Sequence, residues 1–438
     1  MSPAATRHVR GQSPDMAKAA VVGGGLAGLA AAIELADAGV EVTLYEARPR
    51  LGGATFSFER NGLWLDNGQH VALRCCTAYL GFLRRIGSDH LLPLQPRLRV
   101  PVLREGHSPA SISRVGLPAP LHLAPSLLRY APLTLRERLA AVRAATALRR
   151  LDPDDATLDD ESFGDWLRAH GQSPRAVAAL WNLIALPTLN LPAEDASLAA
   201  AVKVFRTGLL DDSAAADIGI PQAPFQRLHA DPAQAAIESA GGRVVLSSPV
   251  HDLDELLADG PVVLAVPHYA ASELVPELDV DGLGASPIVN LHVHYDRRVL
   301  DEPLAAALDS PVQFVFDRTQ ASGAREGQLL AVSLSHAVDE IGRSVAELRE
   351  RYLPALERLL GPAEVLDFAV THEPQATFRA APGARRLRPG TLTSTPGLYL
   401  AGAWTETGWP ATMEGAVRSG LAAARAALAA RDREPAFA

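Results

Sequence analysis

The chain contains very little cysteine and no excess of positive charge. Its two cysteines among 438 residues, Cys75 and Cys76, are adjacent. Neighbouring cysteines rarely reach disulfide geometry, so we expect both thiols to be reduced, as in the cytoplasm. The pair is too small a ligand set for a structural zinc ion. Lysine and arginine number 41 against 50 acidic residues, for a net charge of −9, which argues against a nucleic-acid partner.

Long apolar runs are also missing. No stretch approaches the roughly 18 apolar residues that a membrane span requires, so we expect any membrane contact to be peripheral. Residues 1–16 have no apolar segment of the kind that secretory signals contain. They are polar and contain proline, which predicts a disordered extension, and Met16 is a second candidate for the natural start.

The first predicted elements form a parallel crossover. Residues 18–24 are an apolar run that ends in glycine and predict a strand. Residues 26–38 have helical periodicity with small residues on one face, and residues 40–47 alternate as a second strand. This order is typical of the β-α-β unit of an α/β protein.

The turn between this strand and this helix carries a phosphate-binding pattern. Gly23, Gly25 and Gly28 fit G-x-G-x-x-G, with Leu26 and Ala27 between the last two. The first glycine permits a tight turn, the second admits a pyrophosphate, and the third lets the helix pack against the strand. Glu46 ends the second strand 18 residues after Gly28, where an acid suits ribose hydroxyls. The pattern therefore predicts a dinucleotide site.

A second glycine pair follows this acid. Gly52 and Gly53 complete the spacing E-x-x-x-x-x-G-G from Glu46, and the sequence LDNGQH follows at 65–70. With these motifs the chain resembles the flavin amine oxidase and carotenoid desaturase superfamily. The resemblance implies an α/β fold, in which a Rossmann-like FAD-binding domain of the flavin oxidoreductase type carries an inserted α+β substrate domain.

The resemblance also implies the FAD contacts. Relatives carry a cation directly after the glycine pair, where this chain has Ala54, so Arg48 or Arg50 would replace it. Relatives place an acid after the glycine that ends the last strand, where this chain has Ala403. No cysteine lies in residues 398–424, which excludes covalent flavin attachment through cysteine there, so we expect non-covalent FAD. The implied cofactor-binding residues are Gly23, Gly25, Leu26, Ala27, Gly28, Glu46, Ala47, Arg48, Gly52, Gly53, Ala54, Gly68, Gln69, His70, Val250, Gly402, Ala403, Thr412 and Met413.

Four further stretches resemble one branch of this superfamily. They include DNGQH at 66–70, LPTLN at 186–190, FVFDR at 314–318 and the segment from 376 to 420. They are similar to the squalene-associated FAD enzymes, the hydroxysqualene dehydroxylases of hopanoid synthesis. This similarity implies that an allylic hydroxyl of a C30 isoprenoid is lost as water and replaced by hydride from reduced flavin.

Such a reaction needs a dry site and a proton donor. His70 is the catalytic candidate, because histidine is the commonest general acid and the family places this loop beside the flavin. The alternative is that His70 is a loop histidine whose ring is hydrogen-bonded to the backbone and has no catalytic role. Glu414 is a weaker candidate, since an acid in the first turn of a helix is favoured by the helix dipole alone. The predicted substrate-binding residues are Asn190, His294, Phe316 and Trp409.

The change in sequence pattern along the chain predicts two interleaved domains. Residues 17–90, 221–275 and 380–438 would form the FAD-binding domain, and residues 91–220 and 276–379 the substrate-binding domain. Within the latter, residues 117–150 have an apolar, proline-broken half and an arginine-rich helical half. They suit either shallow membrane contact or a domain cap with a solvated basic face.

Three other functions stay open at this stage. A carotenoid-type desaturase has the same fold and the opposite direction of electron flow. An amine oxidase would place an aromatic pair around the flavin, for which Trp404 and Trp409 are candidates. A prenyl-binding escort without flavin shares the architecture, although the intact phosphate loop argues against it. His292 and His294, two apart on a strand, would need a third ligand to bind a metal, so no metal is predicted.

Overall fold

A computed structural model describes residues 18–431 of the chain. The predicted disordered extension, residues 1–16, lies outside this range. The strands are β1 Lys18–Val22, β2 Glu41–Tyr45, β3 Ser57–Arg60, β4 Leu63–Asp66, β5 Ala72–Leu73, β6 Arg99–Leu103, β7 Ala110–Ser113, β8 Ile218–Gly219, β9 Arg243–Val245, β10 Val262–Leu264, β11 Ser286–Tyr295, β12 Leu304–Ala307, β13 Phe314–Asp317, β14 Gln328–Ser335, β15 Val365–Thr377 and β16 Leu398–Leu400. The α-helices are α1 Leu26–Asp37, α2 Thr77–Arg85, α3 Ala124–Leu128, α4 Leu135–Leu148, α5 Phe163–Ala169, α6 Pro174–Ala176, α7 Asn182–Leu189, α8 Leu198–Phe205, α9 Asp231–Ser239, α10 Asp254–Asp259, α11 His268–Leu274, α12 Thr319–Ser322, α13 Val345–Leu360 and α14 Met413–Arg431.

A five-stranded parallel sheet joins the beginning, the middle and the end of the chain. Its order is β16-β10-β1-β2-β9, and every neighbouring pair is parallel. The central strands are apolar and buried on both faces, as parallel strands covered by helices must be. Because parallel strands end at one edge, the residues after β1, β2 and β16 converge there. The α/β, Rossmann-like prediction is confirmed.

The second large sheet of the fold has seven strands. Its order is β15-β11-β14-β13-β12-β6-β7, and only the β12–β6 pair is parallel. Strand β11 lies between β15 and β14 and is almost fully buried. Helix α13 begins with a capping box, in which Ser344 and Glu347 exchange hydrogen bonds, and packs on this sheet. The two sheets draw on the segments expected for them, and the exact domain boundaries stay a prediction.

Two segments differ from the sequence interpretation. The apolar pattern of residues 243–250 predicts one strand, but β9 ends at Val245, because Ser247 takes a left-handed conformation (φ +54°) and turns the chain. The pattern of residues 338–360 predicts a helix over the whole segment, but α13 begins at Val345, where the Ser344 cap sets its start.

Candidate functional site

The phosphate loop lies between β1 and α1 at the carboxyl edge of the parallel sheet. A Cβ atom on Gly28 would lie 1.8 Å from the carbonyl oxygen of Gly23, so only glycine lets α1 approach the turn this closely. Gly25 is the N-terminal cap residue of α1, is partly exposed, and has no side chain to fill the space before the helix. The amino end of α1, with its unpaired N–H groups, therefore opens onto a cradle that fits a pyrophosphate.

The second glycine pair closes one side of this cradle. Gly52 donates its N–H to the carbonyl oxygen of Gly24 at 2.9 Å. Gly53 has φ +57°, and a Cβ atom there would lie 2.8 Å from the Cα of Gly25. Two backbones thus touch where side chains would keep them apart. Ala54 is exposed and its carbonyl oxygen accepts from Asn67.

Glu46 is held rigidly beside the loop. Its Oε2 accepts the Gly24 N–H at 2.7 Å, and its Oε1 accepts the Arg48 N–H at 2.7 Å. Each oxygen keeps a further lone pair for a ribose hydroxyl. Ala47 and Arg48 are exposed at the rim. Arg50 lies with its guanidinium 3.3 Å from the ring centre of Phe56, so it is braced as a cation near the glycine pair.

The middle of the chain contributes the segment after β9. Ser248 donates its N–H to the carbonyl oxygen of Glu46, which ties this segment to the end of β2. Val250 follows two residues later, outside any strand, and is half-buried in irregular structure. A backbone contact of Val250 with adenine stays a prediction.

The end of the chain supplies a glycine turn and a helix start. Gly402 follows β16 and donates its N–H to Ser419 Oγ at 2.8 Å. Arg388 binds the next turn, since it donates to the carbonyl oxygens of Ala403 and Trp404 at 3.2 and 3.3 Å. Thr412 accepts the N–H of Gly415 at 3.2 Å just before α14 begins at Met413. Ala403, Thr412 and Met413 are all partly exposed at the sheet edge.

Glu414 has a structural role in this arrangement. Its carboxylate is buried and accepts the N–H groups of Ala78 and Tyr79 at 3.1 and 2.8 Å, at the amino end of α2. It also accepts from Arg418 at 2.7 Å. A carboxylate bound in this way caps a helix and has little capacity for proton transfer, so we do not assign it to the chemistry.

The LDNGQH loop is fastened by a buried ion pair. Arg318 Nη2 lies 2.6 Å from Asp66 Oδ2, and the two side chains are 5% and 4% exposed. Asn67 continues the anchoring, because its amide donates to Ala54 and Glu373 and its carbonyl oxygen accepts from Asn290. Asp66 therefore braces the loop through Arg318, a partner 252 residues away in the sequence.

Four polar side-chain atoms near this loop are buried without a partner among the described residues. They are Gln69 Nε2, His70 Nδ1, Asn290 Oδ1 and His292 Nε2. Buried polar atoms are almost always paired in native proteins, so four of them together indicate a place for a polar ligand group. The alternation of polar residues along the otherwise apolar β11 was the available sequence signal for Asn290 and His292.

Burial disfavours the charged form of the histidines around the loop. Burial lowers the pKa of His70, although the nearby Asp66 carboxylate opposes the shift. Burial and then the Arg318 charge lower the pKa of His292 to about 4. Burial lowers the pKa of His229 to about 3, and His229 Nε2 lies 2.6 Å from the Tyr79 hydroxyl. Phe225 packs between His70 and His229, with ring centres 5.2 and 5.5 Å apart.

The predicted substrate residues do not form one cluster. Asn190 is buried and donates to Ser286 and Thr377 while its Oδ1 accepts the His336 N–H, so it fastens the end of α7 to the seven-stranded sheet. These bonds occupy its amide in the structure, and a role of Asn190 towards a substrate stays a prediction. His294 lies eight residues along β11 from Ser286, about 26 Å away, and its Nε2 lies 3.0 Å from the Glu326 carbonyl oxygen.

The two aromatic candidates differ in their surroundings. Phe316 is buried in β13 and stacks on Phe314, with ring centres 6.3 Å apart. Trp409 is half-buried between Lys203 and Arg418, at 5.3 and 5.2 Å from its ring centre. Trp409 therefore lines a surface cleft, whereas Phe316 belongs to the core; their roles towards a substrate stay predictions.

Comparisons with known proteins also indicate a flavin-containing oxidoreductase. The model of the family "Flavin containing amine oxidoreductase" matches residues 26–428. A hydroxysqualene dehydroxylase of Sinorhizobium fredii is 29% identical over 93% of this chain and 97% of its own length. A 15-cis-phytoene desaturase of Synechococcus elongatus is 24% identical over 95% and 96%. A redesigned putrescine oxidase has a similar fold, with a TM-score of 0.72 at 20% identity over 94% of this chain and all of the other.

Proposed function

The chain belongs to the family of flavin-containing amine oxidoreductases and is an FAD-dependent oxidoreductase, and on this basis we propose that it reduces hydroxysqualene to squalene. The observation that carries the proposal is the 29% identity to a hydroxysqualene dehydroxylase over nearly the whole of both chains. The motifs DNGQH, LPTLN and FVFDR support the same branch.

The residues at the sheet edge fit FAD. The cradle at Gly25, Gly52 and Gly53 would hold the pyrophosphate, and Glu46 the ribose. The turn after Gly402 and the start of α14 would lie towards the flavin ring, where a helix amino end favours negative charge. Reduced FAD, when bound, supplies the hydride that replaces the hydroxyl.

The protein's part in the reaction is to handle one proton and to keep water out. Hydroxysqualene, a proton and a hydride give squalene and one water, so the hydroxyl must receive a proton as its C–O bond breaks. His70 is the proposed donor, because its Nδ1 is buried and unpaired. The site would also have to exclude water from the allylic cation. Since burial lowers the pKa of His70 below its ordinary value, turnover should rise as the pH falls below neutrality.

A carotenoid-type desaturase is the second candidate. The 24% identity to a phytoene desaturase over a similar length favours it to a lesser degree. Both reactions use the same fold and cofactor and differ in the direction of electron flow. The amine oxidase alternative receives less support, since Trp404 is buried and donates its indole N–H to the Val266 carbonyl oxygen at 2.9 Å.

The test is a product assay with the FAD-loaded protein. The protein is reduced without oxygen, mixed with hydroxysqualene, and the products are separated by gas chromatography. Squalene is the expected product. Absence of squalene, with desaturated products from phytoene under oxidising conditions, would overturn the proposal in favour of the second candidate.

A matched pair of variants tests the proton donor. His70→Gln should lower squalene formation by about a hundredfold or more and remove its rise at low pH. His90→Gln changes an exposed histidine outside this loop and should leave both unchanged. Equal activity of the two variants would show that the proton comes from another group.

We also propose that the protein works in the cytoplasm at the inner face of the membrane, where a C30 isoprenoid resides. No helix within residues 18–431 is long and apolar enough to cross a membrane.

A further inference from the structure

Exposed apolar side chains gather in one segment of the chain. Among the described residues, eleven large hydrophobic side chains are exposed, and six of them lie between residues 117 and 142. Each of the six is between 44% and 61% exposed. A monomeric soluble protein rarely collects apolar surface in this way without an interaction partner. The six are Leu117, Leu121, Leu128, Leu135, Leu139 and Val142.

Helix α4 presents half of this surface. Its inward side buries Ala140, Ala141, Ala144 and Leu148. At about 100° per residue, Leu135, Leu139 and Val142 lie together on the opposite side, where a surface helix normally carries polar residues. The helix is therefore apolar on both of its faces, although only one of them contacts the fold.

The segment before α4 continues the apolar surface. Leu117, Leu121 and Leu128 line a shallow groove between the short helix α3 and the turn before it. Arg138, in the first turn of α4, donates to the carbonyl oxygens of Leu128 and Leu133, which holds the end of α3 beside the start of α4. The groove and the stripe on α4 thus belong to one region, the 117–142 surface.

The charge around this surface identifies its partner. Residues 117–150 contain six arginines and one glutamate, in a chain whose net charge is −9. The glutamate, Glu137, is occupied by hydrogen bonds with Thr134 and Ser173. Arg129, Arg136 and Arg143 are exposed among the leucines. Apolar side chains within a rim of cations fit the headgroup and upper acyl region of an anionic bilayer.

We propose that the 117–142 surface docks the protein on membranes rich in anionic lipid. This inference deepens the proposed function, since a C30 isoprenoid has to be taken from a bilayer, but the surface itself is defined by its own residues. The leucines would enter the acyl boundary, and the arginines would contact lipid phosphates.

The experiment is flotation of the FAD-loaded full chain with vesicles, of phosphatidylcholine alone or mixed with phosphatidylglycerol. We expect the protein to float with the mixed vesicles and to be released by high salt, which screens the arginines. The stripe variant Leu135→Ser/Leu139→Ser/Val142→Ser should reduce the partition coefficient by about 30-fold or more. The charge variant Arg136→Gln/Arg143→Gln should reduce it by about 25-fold on mixed vesicles only.

Matched controls distinguish docking through this surface from non-specific hydrophobic adsorption to vesicles. Val338→Ser/Val345→Ser removes two exposed valines outside the surface, 52% and 47% exposed in the native chain, and should leave flotation unchanged. Leu121→Ser/Leu128→Ser replaces the stripe variant if that one fails to fold by circular dichroism, and should also weaken flotation.

Three results would overturn the proposal. They are the absence of flotation on both vesicle types, equal loss with the control variant, and a dimer in light scattering that the stripe variant abolishes. The last result would assign the surface to a second copy of the chain. Flotation without squalene formation would leave the docking surface intact and refute only the proposed substrate.

Discussion

The buried ion pair between Asp66 and Arg318 is the interaction whose removal we expect to have the clearest cost. Its N···O distance is 2.6 Å and its side chains are 4% and 5% exposed. Arg318 also donates to the carbonyl oxygen of Pro221. Arg318→Met would leave a carboxylate and a carbonyl group buried without these bonds. Loss of one partner from a buried pair costs about 3–5 kcal/mol, so the unfolding free energy should fall by that amount.

The assay is urea unfolding at a fixed excess of FAD, because bound ligand stabilises the folded state. The matched control is Arg99→Met. Arg99 lies the same 2.6 Å from Glu302, but these side chains are 57% and 32% exposed. An exposed pair contributes about 1 kcal/mol or less, so the control should lose no more than this.

A second change tests the cause of the loss. Arg318→Met/Asp66→Asn removes the stranded charge and should recover about 2 kcal/mol relative to Arg318→Met alone. Because the pair anchors the loop that carries Gly68, Gln69 and His70, Arg318→Met should also reduce bound flavin. The reasoning is refuted if Arg318→Met costs no more than Arg99→Met, or if the double variant is no more stable than the single one.

The remaining predictions concern pH, the last strand and the phosphate loop. Because burial lowers the pKa of His229 to about 3, below an unfolded value of about 6.5, protonation favours the unfolded chain. The stability that this group contributes above that unfolded value should therefore fall by about 2 kcal/mol by about pH 5, and His229→Gln should remove this part of the slope in urea unfolding; an unchanged slope would contradict it. Ala403→Asp should leave flavin absorbance near about 450 nm equal or higher, whereas loss of flavin would mean that the last strand is aligned wrongly. Gly28→Ala should lower the free energy of unfolding by about 1–3 kcal/mol in urea titration and weaken flavin binding, because its methyl group pushes α1 from the turn. The control Gly342→Ala places its methyl group in open space and should change neither quantity.

The family and the glycine-rich carboxyl edge of the parallel sheet could be predicted from the sequence because their signals are local. A strand, a glycine turn and a helix within about 20 residues dictate their own geometry, so Gly23, Gly28 and Glu46 could be placed in advance. Gly402 also follows its strand as expected. The sequence by itself thus determined the fold class and predicted which parts of the chain supply the candidate site.

Tertiary structure decided the roles that depend on distant partners. Asp66 meets Arg318 across 252 residues, and Glu414 caps α2 from 335 residues away, spacings that no periodicity encodes. Asn190 was predicted from the sequence to contact a substrate, and only the folded structure shows that its amide donates to Ser286 and Thr377 of the seven-stranded sheet. Residues 117–150 are a further example, since an apolar segment has the same sequence pattern whether it covers a domain or faces solvent. Which of its faces stays exposed depends on what the rest of the chain packs against, and only the folded structure contains that information.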